Sequence, residues 1–275
     1  MKLDVVKNYK VLVIGDAIYD RYRFCNALGR GTKESIIAVK FEREETYMGG
    51  VWASASHIKD LCKTVDVWHG DTATINTKYV AAYSQKLFSV HETKEMDNRF
   101  VPDDIGSYDV VIVFDYGHGF LTTQLRAKIM MEAKFLAVNA QSNSSNYGFN
   151  RVNEKWPVAH LCVVDELEAR LAAHEQDAPI EQVIRKLPYS RIIVTVGAAG
   201  AVGYNGEFYH EKALTNRPVD LLGAGDAVLA VVAPFAKAGY NIRELVHLGN
   251  IAGAIKVGIL GHQGHITKAE LEKYL

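Results

Sequence analysis

At 275 residues, 48% hydrophobic and 23% charged, the chain is long enough to bury a core on both faces of a sheet, and it needs no disulfide, metal or partner merely to fold. A net charge of -1 lacks the basic excess of a nucleic-acid binder. With no apolar leader pattern at the start and no apolar run of about 18 residues, the chain is expected to be cytoplasmic, with neither nucleic acid nor membrane as a partner. Cys25, Cys62 and Cys162 are odd in number and form no CxxC pair, which fits reduced, packed thiols.

Strand-length apolar runs, rich in β-branched residues, occur at 11–14, 110–114, 135–138, 161–164 and 192–196. Without polar alternation, such runs suit parallel strands buried on both faces. Segments 121–134, 166–174 and 180–187 have helical spacing and the length that parallel crossovers require, and three long helical patterns follow Gly225. Two regions break this rhythm: SIIAVKFEREETY at 35–47 and TKYVAAYSQKLFSVHE at 77–92 alternate, which predicts half-buried antiparallel strands. The expected architecture is one α/β domain spanning 1–275, a three-layer α/β/α sandwich with a mostly parallel central sheet. A small antiparallel β lid is drawn from about 17–48 and 74–92, and it serves either to cover a site or to form a dimer surface.

The most specific local feature is DLLGAGD at 220–226, followed by the apolar helical pattern AVLAVVAPFAKAG. Small residues just before a helix let backbone N–H groups approach an anion closely, and the helix N-terminus adds a favourable dipole. A carboxylate that faced only phosphate would be repelled. Asp226 therefore makes sense as a base between a substrate hydroxyl and a transferred phosphoryl group, with Gly223, Ala224 and Gly225 supplying amides for the developing charge. Taken alone, the same residues also read as a tight loop with Asp226 as a helix N-cap.

Other features follow in chain order. VLVIGDAIYDRY at 11–22 sets Asp16 and Asp20 at and just past the end of the first strand, where open α/β sheets bind ligands and carboxylates can accept from sugar hydroxyls. Gly49 and Gly50 open a helical segment, and Asp115-Tyr116, Asp165-Glu-Leu-Glu168, Thr195-Val-Gly197-Ala-Ala-Gly200 and Asn250 come next. Together with 30–42 and Thr77-Lys78, this series resembles the PfkB, or ribokinase-like, sugar kinases over nearly the whole chain. It is most similar to the kinase domains of bacterial heptose-phosphate kinase/ADP-heptose synthase proteins. The family's usual D-T-x-G-A-G-D has Leu221 in place of Thr here.

The resemblance implies a kinase using ATP and Mg²⁺ on a sugar or sugar phosphate, heptose-like in character. It implies that Asp16, Asp20, Gly49 and Gly50 contact the sugar, with Asp115 and His118 on the substrate side. It sets Thr195, Gly197, Gly200, Asn250, Asn139 and Gln141 about the nucleotide. Asp165 and Glu168 match an N-x-x-E element that orders Mg²⁺ and its waters, a role suited to hard oxygen ligands. Relatives are often fused to a nucleotidyltransferase, so such a partner and a homodimer through the lid are both expectations.

Several positions depart from the family pattern. Ala53, beside Trp52, stands where Asn is usual; Asp115-Tyr-Gly-His118-Gly119 replaces D-Y-x-K-G, and Asn139-Ala-Gln141 replaces D-P-K. Both lysines that would offset anionic charge are gone, and His118 substitutes in part only if protonated. The amide-rich NAQSNSSNYGFN at 139–150 reads as a site loop or as successive Asx turns, and His262-Gln-Gly-His265 reads as a plain loop. A second reading stays open at this point: a kinase-like domain that binds nucleotide or sugar with little turnover and supports an assembly. The acid retained at Asp226 argues against it.

Overall fold

A computed structural model describes residues 1–31, 33–81, 86–93, 102–215 and 217–275. Its main sheet has eight strands: β1 Lys10–Gly15, β4 Thr64–Trp68, β7 Val110–Asp115, β8 Leu136–Ala140, β9 Leu161–Asp165, β10 Ile192–Thr195, β11 Ala201–Tyr204 and β12 Phe208–Glu211. The spatial order is β12-β11-β10-β9-β8-β7-β1-β4. From β4 to β10 neighbouring strands are parallel, and β11 and β12 close the far edge antiparallel. All six residues of β7 are buried, as its unbroken apolar run requires at the middle of a sheet covered on both faces.

Two hydrophobic layers result. On one face lie α1 Val51–Ser56, α6 Ala224–Lys237, α7 Ile242–Val257 and α8 Lys268–Glu272, packed on the outward residues Val11, Val13, Ile112 and Phe114. On the other lie α2 Thr123–Glu132, α3 Val152–Lys155, α4 Glu166–Ala173 and α5 Ile180–Arg185, against Leu12, Ile14, Val111 and Val113. The alternation along β1 and β7 sends successive side chains to opposite cores. Of the three long helical patterns expected after Gly225, α6 and α7 are long and α8 has only 5 residues.

The smaller sheet has four strands in the order β3-β2-β5-β6: β2 Ala17–Arg30, β3 Ile37–Gly50, β5 Thr74–Val80 and β6 Lys86–Glu92. Its outer pairings are antiparallel, whereas the central β2–β5 pairing is parallel. That mixture has a simple cause: β2 continues from β1 and β5 from β4, and β1 and β4 are themselves parallel neighbours. Asp20 accordingly sits within the lid strand β2, past the end of the first strand. Part of the alternating region read at 77–92, residues 82–85, lies outside the described residues.

Candidate active site

The 223–226 turn forms the shared wall of two clefts. Leu222, Gly223 and Asp226 line one of about 200 Å³, which faces the lid; Leu221, Ala224 and Gly225 line another of about 300 Å³, which runs between α6 and α7. Gly223 is the residue that makes this possible. At φ 72° it holds a left-handed conformation at the N-cap of α6, which glycine adopts at little cost. It leaves Asp226 in the third helical position, so Asp226 is not the N-cap that the bare motif allowed.

The first-turn amides of a helix have no intrahelical acceptor. That of Ala224 goes to Leu221 O at 3.3 Å. A Cβ on Gly225 would meet no protein atom within 4 Å, so the turn leaves open space there for a group from outside the chain. The Asp226 carboxylate accepts from Tyr116 Oη at 3.1 Å and from Gln141 Nε2 at 2.8 Å. Burial raises its pKa against the opposing effects of the Tyr116 and Gln141 hydrogen bonds and the nearby Lys256 charge. A carboxylate so held is fixed in direction and more basic than an exposed one, which suits proton abstraction.

The lid-side cleft is made of side chains. Asp20 is buried and its two oxygens are taken by different partners: Oδ1 by Lys78 Nζ at 2.5 Å and Asn76 Nδ2 at 3.4 Å, Oδ2 by His262 Nε2 at 3.1 Å. Burial alone would raise its pKa, yet the His262 hydrogen bond and the Lys78 charge leave it lowered, so it stays ionised. Gly49 is required beside it, since a Cβ there would lie 2.2 Å from Asp20 Oδ2. Gly50 ends β3, stands at the N-cap of α1 and lines the same cleft.

Asp16 is buried under this cleft. Its Oδ2 accepts from Tyr116 N at 3.0 Å and its Oδ1 has no partner, while burial and the neighbouring Asp115 charge push its pKa up to about 7. His118 lines the cleft, but burial drives its pKa down to about 4. It is neutral at neutral pH and does not replace the missing lysine's charge. Asp115 is outside the cleft lining and works as a strut, accepting from Trp156 Nε1 at 2.9 Å, Gly117 N at 3.0 Å and Asn150 Nδ2 at 3.2 Å. Ala53 and Trp52 also lie outside this lining, with Trp52 packed between Tyr19 and His69.

The amide-rich segment is chiefly scaffolding. Asn143 and Asn146 donate to Tyr116 O at 2.8 and 2.9 Å, and Asn150 donates to Asp115 O at 2.9 Å. These bonds fix the loop from which Tyr116 reaches Asp226. Only Gln141 and Asn143 of this segment reach the cleft wall.

On the far side of the turn, Thr195, Gly197, Gly200 and Asn250 line the second cleft with Gly249, Gly253 and Ala254. Its surface is largely backbone, small residues and aliphatic carbon, a shape suited to a flat aromatic ring. Asp165 and Glu168 form a reciprocal capping box at the start of α4: Glu168 N to Asp165 Oδ1 at 2.7 Å and Asp165 N to Glu168 Oε2 at 2.9 Å. Burial and the Asp165 charge raise the Glu168 pKa to about 8. Asn139 donates to Val163 O and Glu168, and its buried Oδ1 has no partner.

Two residues gain a role here that the sequence alone does not give them. His262 came from a stretch read as a plain loop, and only the approach of that loop to Asp20 gives it a role. Lys78 was noted in sequence but becomes a site residue through its ion pair. No group of three or more His, Cys, Asp or Glu side chains suited to a metal occurs among the described residues.

A model of the pfkB family of carbohydrate kinases matches residues 69–269. The bifunctional protein HldE of Sulfurimonas denitrificans is 22% identical over 99% of the chain and 66% of its own length. HldE of Campylobacter jejuni subsp. doylei is 24% identical over 92% of the chain and 62% of its own length. The chain thus spans just under two thirds of the length of these curated relatives. Among solved structures, ribokinase from Thermotoga maritima superposes with a TM-score of 0.73 at 14% identity, covering 97% of this chain and 99% of that one. An Arabidopsis thaliana ribokinase, solved with ribose and ATP, gives 0.71 at 15% identity over 97% and 98%. The fold is therefore ribokinase-like, and no helix among the described residues is long and apolar enough to cross a membrane.

Proposed function

The chain belongs to the pfkB family of carbohydrate kinases, and from that premise we propose that it transfers the terminal phosphoryl group of ATP to a hydroxyl of a heptose-like sugar or sugar phosphate, with Asp226 as the base. One observation carries the reading: a buried carboxylate with two fixed donors stands in the wall between a polar cleft and an apolar one.

The sugar lies in the lid-side cleft, oriented by Asp20, with Asp16 and the Gly49-Gly50 backbone behind it. Asp226 takes the hydroxyl proton as the oxygen attacks, and the amides of the 223–225 turn receive the negative charge that builds on the phosphoryl oxygens. The nucleotide lies along Thr195, Gly197, Gly200 and Asn250. Asn139, Asp165 and Glu168 would hold Mg²⁺, which neutralises phosphate charge when bound. Their hard oxygens and the unpartnered Asn139 Oδ1 fit that ion. Gln141, which stands in place of a family lysine, serves the base directly instead of the phosphate.

Residues 1–275 act as one kinase domain in this reading. Exposed apolar residues of the lid, Leu28, Ile37 and Phe41, support a homodimer through that sheet. The HldE relatives, bifunctional and longer than this chain, support a nucleotidyltransferase as partner.

The test is ADP release across a panel of sugars and sugar phosphates that includes heptoses. Asp226→Asn, which keeps the shape and removes the base, should lower kcat about a thousandfold. Turnover that survives the substitution refutes the base. Nucleotide binding without turnover on any member of the panel favours a binding role over catalysis.

A further inference from the structure

We propose that Lys256 and Asp220 form a clamp that sets the phosphoryl-binding turn in register with the sugar cleft, Lys256 acting as a positioning residue for the transfer. The catalytic part rests on the kinase reading above; the clamp itself does not.

The two side chains grip the same two residues from opposite ends of the peptide. Asp220 accepts from Leu222 N at 3.2 Å and from Gly261 N at 3.1 Å. Lys256 Nζ donates to Leu222 O at 2.7 Å and to Gly261 O at 2.9 Å. Leu222 immediately precedes Gly223, and Gly261 immediately precedes His262. The clamp therefore ties the turn that begins α6 to the segment that delivers His262 to Asp20. A Cβ on Gly223 would lie 3.5 Å from Lys256 Cε and 3.4 Å from His262 Cε1, so both side chains border the space beside the turn. Lys86 of the lid strand β6 also reaches Asp220 Oδ1, at 3.1 Å, which brings the lid into the same unit.

Carbonyl acceptors alone do not explain a lysine here. Lys256 is 0% exposed, and an ammonium taken wholly out of water is costly unless opposite charge surrounds it. Two peptide carbonyls could be satisfied by a neutral amide at lower cost. Burial lowers the Lys256 pKa, the charges of Asp220, Asp226 and Asp20 oppose that fall, and the proposed reaction would bring further negative charge to the turn that it holds. In sequence the residue is a lone charge within the apolar helical stretch AGAIKVGIL, a signal of a buried partner.

The test uses Lys256→Gln, which keeps a donor without charge, and Lys256→Ala. Amide hydrogen exchange reads the clamp without need of turnover. In Lys256→Ala, which removes the donor, segments 220–226 and 258–263 should both exchange at least about tenfold faster, with α4 unchanged. Faster exchange in neither segment, or in only one, overturns the clamp. Steady-state kinetics then read its use. The expected result for Lys256→Gln is a kcat about a hundredfold lower with KM for sugar and ATP within about threefold of the parent. Methylammonium should restore at least about tenfold of that loss to Lys256→Ala. A kcat within about threefold of the parent, or a rise in both KM values at constant kcat, refutes the positioning role. If the parent turns over no sugar while both segments loosen together, the clamp stands and the kinase reading is what has failed.

Discussion

The two clefts that meet at the 223–226 turn are built on opposite plans. The proposed nucleotide side is mostly main chain, glycine and alanine, and it gains its shape by leaving side chains out. The proposed sugar side is crowded with polar side chains from several separate segments, among which Asp20, Asp226 and Gln141 spend hydrogen bonds on their neighbours. A cleft of the first kind accepts one flat ligand through its shape, whereas the second can be respecified by a few substitutions. Three departures from the family pattern, at Ala53, His118 and Gln141, fall on or near the second, whereas Leu221 lines the first.

A pair of glycine substitutions tests that division most directly. Gly49→Ala drives a methyl onto the Asp20 carboxylate, which Lys78 and His262 prevent from swinging away. It should raise KM for the sugar by about tenfold or more and leave KM for ATP alone. Gly253→Leu fills the nucleotide cleft instead, where a Cβ has only an ordinary 3.6 Å contact with Val228. It should raise KM for ATP by a similar factor and spare the sugar. If either change moves both constants equally, the clefts are not independent.

A smaller effect separates the clefts by pH. Asp16 is raised to about 7 in the folded protein from an ordinary value of 3.8, so the folded chain holds a proton there that the unfolded chain has already lost. Its contribution to stability is complete below pH 3.8 and is lost as pH rises through 7. Asp16→Asn removes that loss. Its stability relative to the parent should therefore improve between pH 4 and 8, by a few kcal/mol in denaturant unfolding. A difference that is constant with pH rules out a protonated Asp16. The smallest effect is expected at Glu168, whose pKa is raised by burial and the neighbouring Asp165 charge. Glu168→Gln should shift Tm by no more than about 2 °C at pH 7 while raising the Mg²⁺ concentration needed for half-maximal activity. A large drop in Tm would mean that the residue's work is its capping box, not a metal.

What the sequence disclosed follows the same division. The central strands, the lid and the 223–226 turn were legible because each is encoded by neighbours in sequence: unbroken apolar runs, alternation, and glycines before a helix. Thr195, Gly197, Gly200 and Asn250 do gather on one cleft, since a backbone-built site keeps its signature in small residues. The sugar side hid more. His262 gains its role only from the fold of the loop after α7, and Asp115, placed by motif on the substrate, turns its carboxylate toward Trp156. No local pattern distinguishes a carboxylate that faces a ligand from one that holds an indole. The mixed pairing of the lid was likewise hidden, because parallel β2–β5 contact depends on which main-sheet strands precede them.

Asp16 is the single residue between β1 and β2, and its carbonyl accepts from Val51 N at 3.2 Å, just after Gly50 returns the chain from the lid. Those two crossings lie side by side and act as an axle for the smaller sheet. The Asp16 carboxylate is bonded to Tyr116 N, and the Tyr116 hydroxyl to Asp226. One aromatic residue thus joins the root of the smaller sheet to the proposed base, so the position of that sheet and the direction of the Asp226 carboxylate are set through a shared side chain.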